Sequence, residues 1–153
     1  MTAPVYSVFA PTNVALVAAT SKVVLSALAG ASFGLQIVGF DLGSLGVTAT
    51  DVPIRVEVCK WDGTTPGTAS AATPTQEFGE VMAPGFTSFY DYSVAPAALT
   101  VSRVFSLTPN SATLVYPFGQ GEEIVVGPGD GIAIRLTAPA NVNVVPAMRV
   151  QRV

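Results

Sequence analysis

The residues that could carry out chemistry in this chain of 153 residues are few and lie far apart in the sequence. There is no histidine, and Cys59 is the single cysteine. The lack of histidine excludes Ser-His-Asp and Cys-His nucleophile pairs and removes the commonest metal ligand. Zinc sites are built from thiolates and imidazoles, so carboxylates alone make a zinc site improbable. We predict no catalytic residue, no metal and no cofactor: the protein is not expected to be an enzyme.

The remaining polar groups do not form a recognisable catalytic pattern. Glu122 and Glu123 precede a predicted strand, where adjacent side chains point to opposite faces and cannot converge as an acid/base pair. The glycine-rich stretch Gly127–Gly131 lacks the Lys-Ser/Thr ending of a phosphate loop, and we interpret it as a tight turn. A Ser-Lys dyad would need Lys22 or Lys60, each placed like an ordinary surface lysine. The aspartates show no EF-hand spacing.

Seven aromatic residues are the candidates for partner contact: Tyr6, Phe9, Trp61, Phe86, Phe89, Tyr90 and Tyr92. Aromatic side chains commonly fill cores and also dominate the binding energy of protein interfaces. Beside Asp91 they could also form a sugar-binding platform. We rank these interpretations in the order core, interface, carbohydrate. Cys59 is interpreted as a small residue in a covered surface rather than a reactive thiol, since no activating cation network is evident.

The elements that must position these residues are strands. In the stretch 52–60 the residues Ile54, Val56 and Val58 alternate with Arg55, Glu57 and Cys59. The same alternation places Ile132, Ile134 and Leu136 on one face of 131–137, and Val142, Val144, Met148 and Val150 on one face of 142–150. In 33–42 both faces are apolar, which predicts a strand covered on both sides. Residues 62–75 are predicted to form a long mobile loop.

Glycine and proline separate these strands throughout. Their 14 and 12 copies leave no room for a long helix, and about ten strand candidates remain. The fold class predicted is all-β: a single jelly-roll β-sandwich of about 8–10 antiparallel strands over residues 1–153. For residues 1–11 an N-terminal arm is the alternative to a plain first strand.

The composition indicates extensive contact with something other than water. Only 11% of the residues are charged, against about 25% in typical soluble domains, and 50% are apolar. Either a membrane or partner subunits could cover such a surface. The single membrane candidate, residues 23–40, contains three glycines, two serines and a glutamine, and therefore favours two strands around a turn. We predict no membrane partner. With seven scattered basic residues and a net charge of −3, we also predict no nucleic-acid partner.

Two stretches resemble a known group. Residues 35–43 (LQIVGFDLG), then IRVEV at 54–58 and a Thr/Gly/Pro loop ending at Pro74, are followed later by VGPGDGIAIRLTAPA at 126–140. This order resembles small head-associated structural proteins of tailed bacteriophages. The second stretch is also similar to the penultimate strand of tumour-necrosis-factor-like jelly rolls, which assemble as trimers.

The resemblance implies a decoration, or cement, protein of a phage head. Such a protein binds the phage major capsid protein on the capsid exterior of the virion, self-associates as a homotrimer, and is assembled in the host cytoplasm. Tyr6 and Phe9 would then be the contact residues of a capsid-binding arm at 2–11. The alternative is a carbohydrate- or receptor-binding β-sandwich module of a tail or surface component, using Trp61 or the cluster Phe89–Tyr92.

Overall fold

The chain folds into strands joined by turns. The structure, a computed structural model, describes residues 3–47 and 52–153. Within these ranges there are thirteen strands and no helix. Their bounds are β1 Val5–Phe9, β2 Val14–Leu16, β3 Ser21–Leu28, β4 Leu35–Ser44, β5 Ile54–Trp61, β6 Thr68–Ala72, β7 Thr75–Phe78, β8 Thr87–Val94, β9 Thr100–Leu107, β10 Thr113–Pro117, β11 Ile124–Val126, β12 Gly131–Thr137 and β13 Val142–Arg152.

Two antiparallel sheets pack against each other, so the predicted all-β sandwich is confirmed. Sheet A has the order β10-β4-β13-β1-β7, with β11 also paired to β4 and β2 to β13. Sheet B has the order β6-β8-β3-β12-β5-β9. Eight of the strands form a simpler pattern: β1, β3, β4, β5, β9, β10, β12 and β13. When these eight are numbered 1 to 8 in chain order, their spatial order is 1-8-3-6 in sheet A and 2-7-4-5 in sheet B. This is the connectivity of a jelly roll, in which the chain passes repeatedly between the two sheets.

The structure contains three strands more than the ten candidates, namely β6, β7 and β8, which lie between β5 and β9 and extend the two sheets. Strand β6 lies within the stretch 62–75, which was predicted to be a long mobile loop; that prediction is wrong for Thr68–Ala72. Its small residues carry little apolar alternation, and it becomes a strand by pairing with β8 at the sheet edge.

The N-terminal residues are part of the sandwich. Val5–Phe9 pairs with β13 in the register Val5↔Gln151 to Phe9↔Ala147, and its other edge pairs with β7. The alternative of an arm therefore does not hold for this stretch, because both of its backbone edges have strand neighbours. Residues 1 and 2, the start of the predicted arm, lie outside the described residues.

The main core lies between the sheets and contains the predicted inward faces. Ile54, Val56 and Val58 of β5 are fully buried there, as are Ile132, Ile134 and Leu136 of β12. Phe40 lies in an aromatic group, with its ring centroid 5.1 Å from that of Phe105, 5.8 Å from Tyr116 and 6.2 Å from Phe118. Because these side chains come from β4, β9 and β10 and the turn after β10, the group joins the two sheets at one side of the sandwich.

Strand β4 differs from the prediction that the strand in 33–42 is covered on both of its faces. Its register with β13 shifts between Arg149↔Gly39 and Val150↔Ile37, which leaves Val38 as an extra residue. Such an irregularity reverses the alternation of side chains beyond it. Ile37 and Phe40 therefore both face the core, although they are three residues apart. The strand is buried on one face only.

Residues 23–40, the candidate for a membrane-spanning segment, form strands of the sandwich. It comprises most of β3, a turn, and the first part of β4. In the part of the chain that the structure describes, no helix has the length and apolar character needed to cross a membrane.

Candidate partner-contact surfaces

Most of the predicted contact residues are interior residues in this structure. Four of the seven have little exposed surface: Tyr6 (1%), Trp61 (3%), Phe86 (7%) and Tyr92 (3%). Phe9 is 44% exposed, and Phe89 and Tyr90 are half-buried. The interpretation ranked first, ordinary core, therefore describes the four buried side chains. Only the other three present an accessible ring to a partner.

Tyr6 and Phe86 form a pair inside the main core. Their ring centroids are 5.4 Å apart in an edge-to-face arrangement, which suits the charge distribution of aromatic rings. The Tyr6 hydroxyl donates a hydrogen bond of 2.8 Å to the carbonyl oxygen of Met82. Tyr6 therefore stabilises the sandwich and the loop that contains Met82.

Trp61 and Tyr92 belong to a second, smaller core on the outer face of sheet B. They pack with Val23 and Ala133, and Leu28, Ala69, Phe89 and Leu99 lie against this group. The Trp61 ring lies so close over Gly131 that a Cβ atom there would collide with it. The Tyr92 hydroxyl and Ser26 Oγ are hydrogen-bonded at 2.6 Å. Burial raises the pKa of Tyr92, although the bond to Ser26 lowers it in part.

Glu57 and Cys59 are also covered, although the alternation placed them on a polar face. Glu57 is 5% exposed; its Oε1 accepts a 2.8 Å hydrogen bond from Arg55 Nε, and its Oε2 a 2.6 Å bond from Arg135 Nε. The Cys59 thiol is buried, and burial raises its pKa to about 11; the Glu57 charge also raises it, and the Arg135 charge opposes the shift. The thiol is therefore neutral at pH 7 and a poor nucleophile.

The carboxyl group of Glu57 makes the free energy of unfolding depend on pH. Burial raises its pKa, but the hydrogen bonds and charges of Arg135 and Arg55 outweigh burial and leave the pKa below the ordinary 4.5. The folded state then binds fewer protons than the unfolded state, so the stabilisation is present above about pH 4.5 and is lost as the pH falls through the folded pKa. We expect wild type to lose more free energy of unfolding on acidification than Glu57→Gln, as measured by urea denaturation between about pH 7 and about pH 3. Parallel pH profiles for the two proteins would contradict this assignment.

The outer face of sheet A is exposed and poor in charge. In register across β1, β13, β4 and β10, one row consists of Phe9, Ala147, Asp41 and Val115. Val145 lies on the same face next to this row. Phe9, Val115 and Val145 are 44%, 58% and 41% exposed. We call this surface, defined by Phe9, Asp41, Val115, Val145, Ala147 and Arg149, the A face.

The A face has two charged residues, which lie near each other. Asp41 Oδ1 and Arg149 Nη2 are 3.8 Å apart, too far for a hydrogen bond. Asp41 Oδ1 is shielded from solvent and accepts no hydrogen bond from any described residue. The sequence prediction missed the A face, although the outward valines of β10 and β13 carried a signal for it.

A cleft of about 430 Å³ lies at one end of the sandwich, between the end of β2 and the turn before β10. Leu16, Val17, Leu45, Pro109 and Asn141 are among its lining residues. None of the described lining residues is titratable, so these residues provide the cleft with no acid or base. Over residues 3–47 and 52–153, no three His, Cys, Asp or Glu side chains lie close enough together to hold a metal ion.

Comparison with protein-family models, with curated proteins and with solved structures found no match to this chain.

Proposed function

We propose that this chain is a structural, non-enzymatic protein of a phage virion that binds the outer capsid surface and stabilises contacts between major capsid subunits. The observation that carries the proposal is the A face, an exposed sheet surface with valines and a phenylalanine and only two charges. Isolated exposed apolar residues are normal, but a group of them on one sheet face is typical of an interaction surface. The phage setting comes from the sequence resemblance.

The A face is proposed as the surface through which copies of the chain self-associate as a homotrimer. A specific interface buries roughly 800 Å² on each partner, so further outward residues of sheet A would be buried together with the A face. Burying apolar surface contributes about 25 cal/mol per Å² before the costs of association are deducted. The trimeric state itself follows from the resemblance.

The test combines solution mass with capsid binding. Light scattering should give three times the 15.7 kDa of one chain. The same protein should co-sediment with capsids of the phage that encodes it, prepared from a mutant lacking the gene. A monomer that does not bind these capsids would contradict the proposal.

A charge placed on the A face should dissociate the assembly. For Val145→Asp we expect at least a tenfold weaker association, because each copy would then bury an unpaired carboxylate. Light scattering over a dilution series measures this. Val104→Asp is the matched control, since Val104 is 49% exposed on β9 of sheet B. Equal masses for wild type and Val145→Asp at every concentration would place the interface elsewhere.

The carbohydrate- or receptor-binding alternative receives no specific support from the geometry. The rings of Trp61 and Tyr92 are buried and cannot stack on a sugar, although Phe89 and Tyr90 remain half-exposed.

A further inference from the structure

The end of β7 and the loop between β7 and β8 carry a group of exposed apolar side chains. Val81 is 100% exposed, Phe78 is 60% exposed and Met82 is 40% exposed. We call residues 78–82 the tip. Three large apolar side chains within five residues are costly to leave in water and are typical of a contact site.

The side chain of Gln76 holds the backbone of the tip. Its Nε2 donates to the carbonyl oxygen of Glu80 at 2.5 Å and to that of Phe78 at 3.5 Å. Its Oε1 accepts a 3.1 Å hydrogen bond from the backbone nitrogen of Met82. One amide group thus bonds to three backbone positions and closes the tip into a compact turn.

The buried side of the loop is held by two further residues. Tyr6, from the main core, donates to the carbonyl oxygen of Met82 at 2.8 Å. The Arg152 guanidinium lies 3.8 Å from the centroid of the Phe33 ring and donates to the carbonyl oxygen of Ala83 at 3.3 Å. A surface loop with this many polar attachments is already ordered before it meets a partner. Binding through it then loses little conformational entropy.

The charges around the tip select among partners. Glu77 and Glu80 are exposed beside the apolar side chains, and an anionic membrane surface would repel them. A second copy of this chain offers few matching cations. Of the seven basic residues, Lys22, Arg55, Arg135 and Arg149 are in ion pairs, and Arg103 and Arg152 lie over aromatic rings, which leaves Lys60. Complementarity therefore favours a different protein whose apolar groove is bordered by lysine or arginine.

We propose that the tip is the segment that binds the capsid, with Val81 inserted into an apolar groove of the major capsid protein and Glu77 and Glu80 facing basic side chains at its rim. This inference rests on the proposed function. It separates two roles in the chain: the A face joins copies of this protein, and the tip binds the capsid.

The experiment is co-sedimentation with the same gene-deleted capsids, using wild type, Val81→Ser, Glu80→Lys and the control Val104→Ser. Val81 and Glu80 have exposed side chains, so neither variant should alter the fold or the solution mass. We expect Val81→Ser and Glu80→Lys each to weaken capsid binding at least tenfold and Val104→Ser to bind as wild type does. Wild-type binding should also weaken as salt is raised, and Glu80→Lys should lose part of this dependence.

Each other outcome overturns the inference in a distinguishable way. If wild type and both tip variants bind capsids equally well, the tip is not the contact and the proposed function stands. If wild type does not bind capsids, the proposed function fails and the inference fails with it. A tip variant of reduced solution mass would place the tip between copies. Binding of wild type, but not Val81→Ser, to phosphatidylcholine–phosphatidylglycerol vesicles would identify a membrane as the partner.

Discussion

Replacing Phe40 by alanine is expected to lower the free energy of unfolding by about 4 kcal/mol, which is the largest effect we expect from a single change. The Phe40 side chain is fully buried, and its ring packs against Phe105, Tyr116 and Phe118. Truncation removes the buried ring and leaves a cavity that the two sheets cannot close, because backbone pairing fixes the positions of β4 and β10. The loss should appear as a lower midpoint in urea denaturation.

Trp61, the only tryptophan, provides a fluorescence signal for this measurement from the opposite side of sheet B. Phe78→Ala is the matched control, because it makes the same chemical change at a side chain that is 60% exposed. We expect it to cost less than about 1 kcal/mol. Both variants must be compared at one protein concentration, since association would add to the apparent stability. Equal losses for Phe40→Ala and Phe78→Ala would show that the aromatic group is not a tightly packed part of the core.

Replacing Gly131 by alanine should cost about 3 kcal/mol, an effect at the upper end for adding a methyl group to a packed site. The added Cβ would occupy the space of the Trp61 ring, which is itself confined by Leu28, Leu99 and the other members of the smaller core. The ring cannot move outward without exposing that core. Urea denaturation followed by circular dichroism measures the loss.

A double-mutant cycle tests the cause of this loss. Trp61→Leu removes the ring that the new methyl group meets, so Gly131→Ala should cost much less in that background than in wild type. Gly43→Ala serves as the control for a glycine in a strand, because the nearest neighbour of a Cβ there is Val145 at an ordinary 3.9 Å. Strictly additive losses for Gly131→Ala and Trp61→Leu would exclude the collision as the cause.

The segment between β5 and β9, residues 62–99, extends both sheets and includes the tip. Its strand β7 pairs with β1 at one edge of sheet A, and its strands β8 and β6 extend sheet B beyond β3. The segment therefore widens both sheets, and the tip lies in the connection between β7 and β8. Side chains from the same segment, among them Tyr92, also cover the outer face of sheet B. One insertion into the eight-stranded jelly roll thus supplies both the proposed capsid contact and the smaller core.

The sequence by itself determined the fold class, because side-chain alternation in a strand is a local property. The alternation in β5 and β12 identified Ile54, Val56, Val58 and the matching residues of β12 as core. The abundance of glycine and proline excluded long helices. The shortage of charge predicted partner surfaces, and it did so without any knowledge of which strands are neighbours.

Only the tertiary structure decided which faces are covered and which are free. Glu57, Cys59 and Trp61 alternate onto the outer face of β5, yet all three are buried. Trp61 packs with Tyr92 of β8 in the smaller core, and Glu57 is bonded to Arg55 and to Arg135 of β12. The extra residue Val38 reverses the side-chain alternation between the two halves of β4. Strand β6 forms because it pairs with β8. These outcomes depend on long-range register and on neighbouring strands, which a single strand's sequence does not encode. For the same reason, the A face and the tip emerged only when the sheets were assembled.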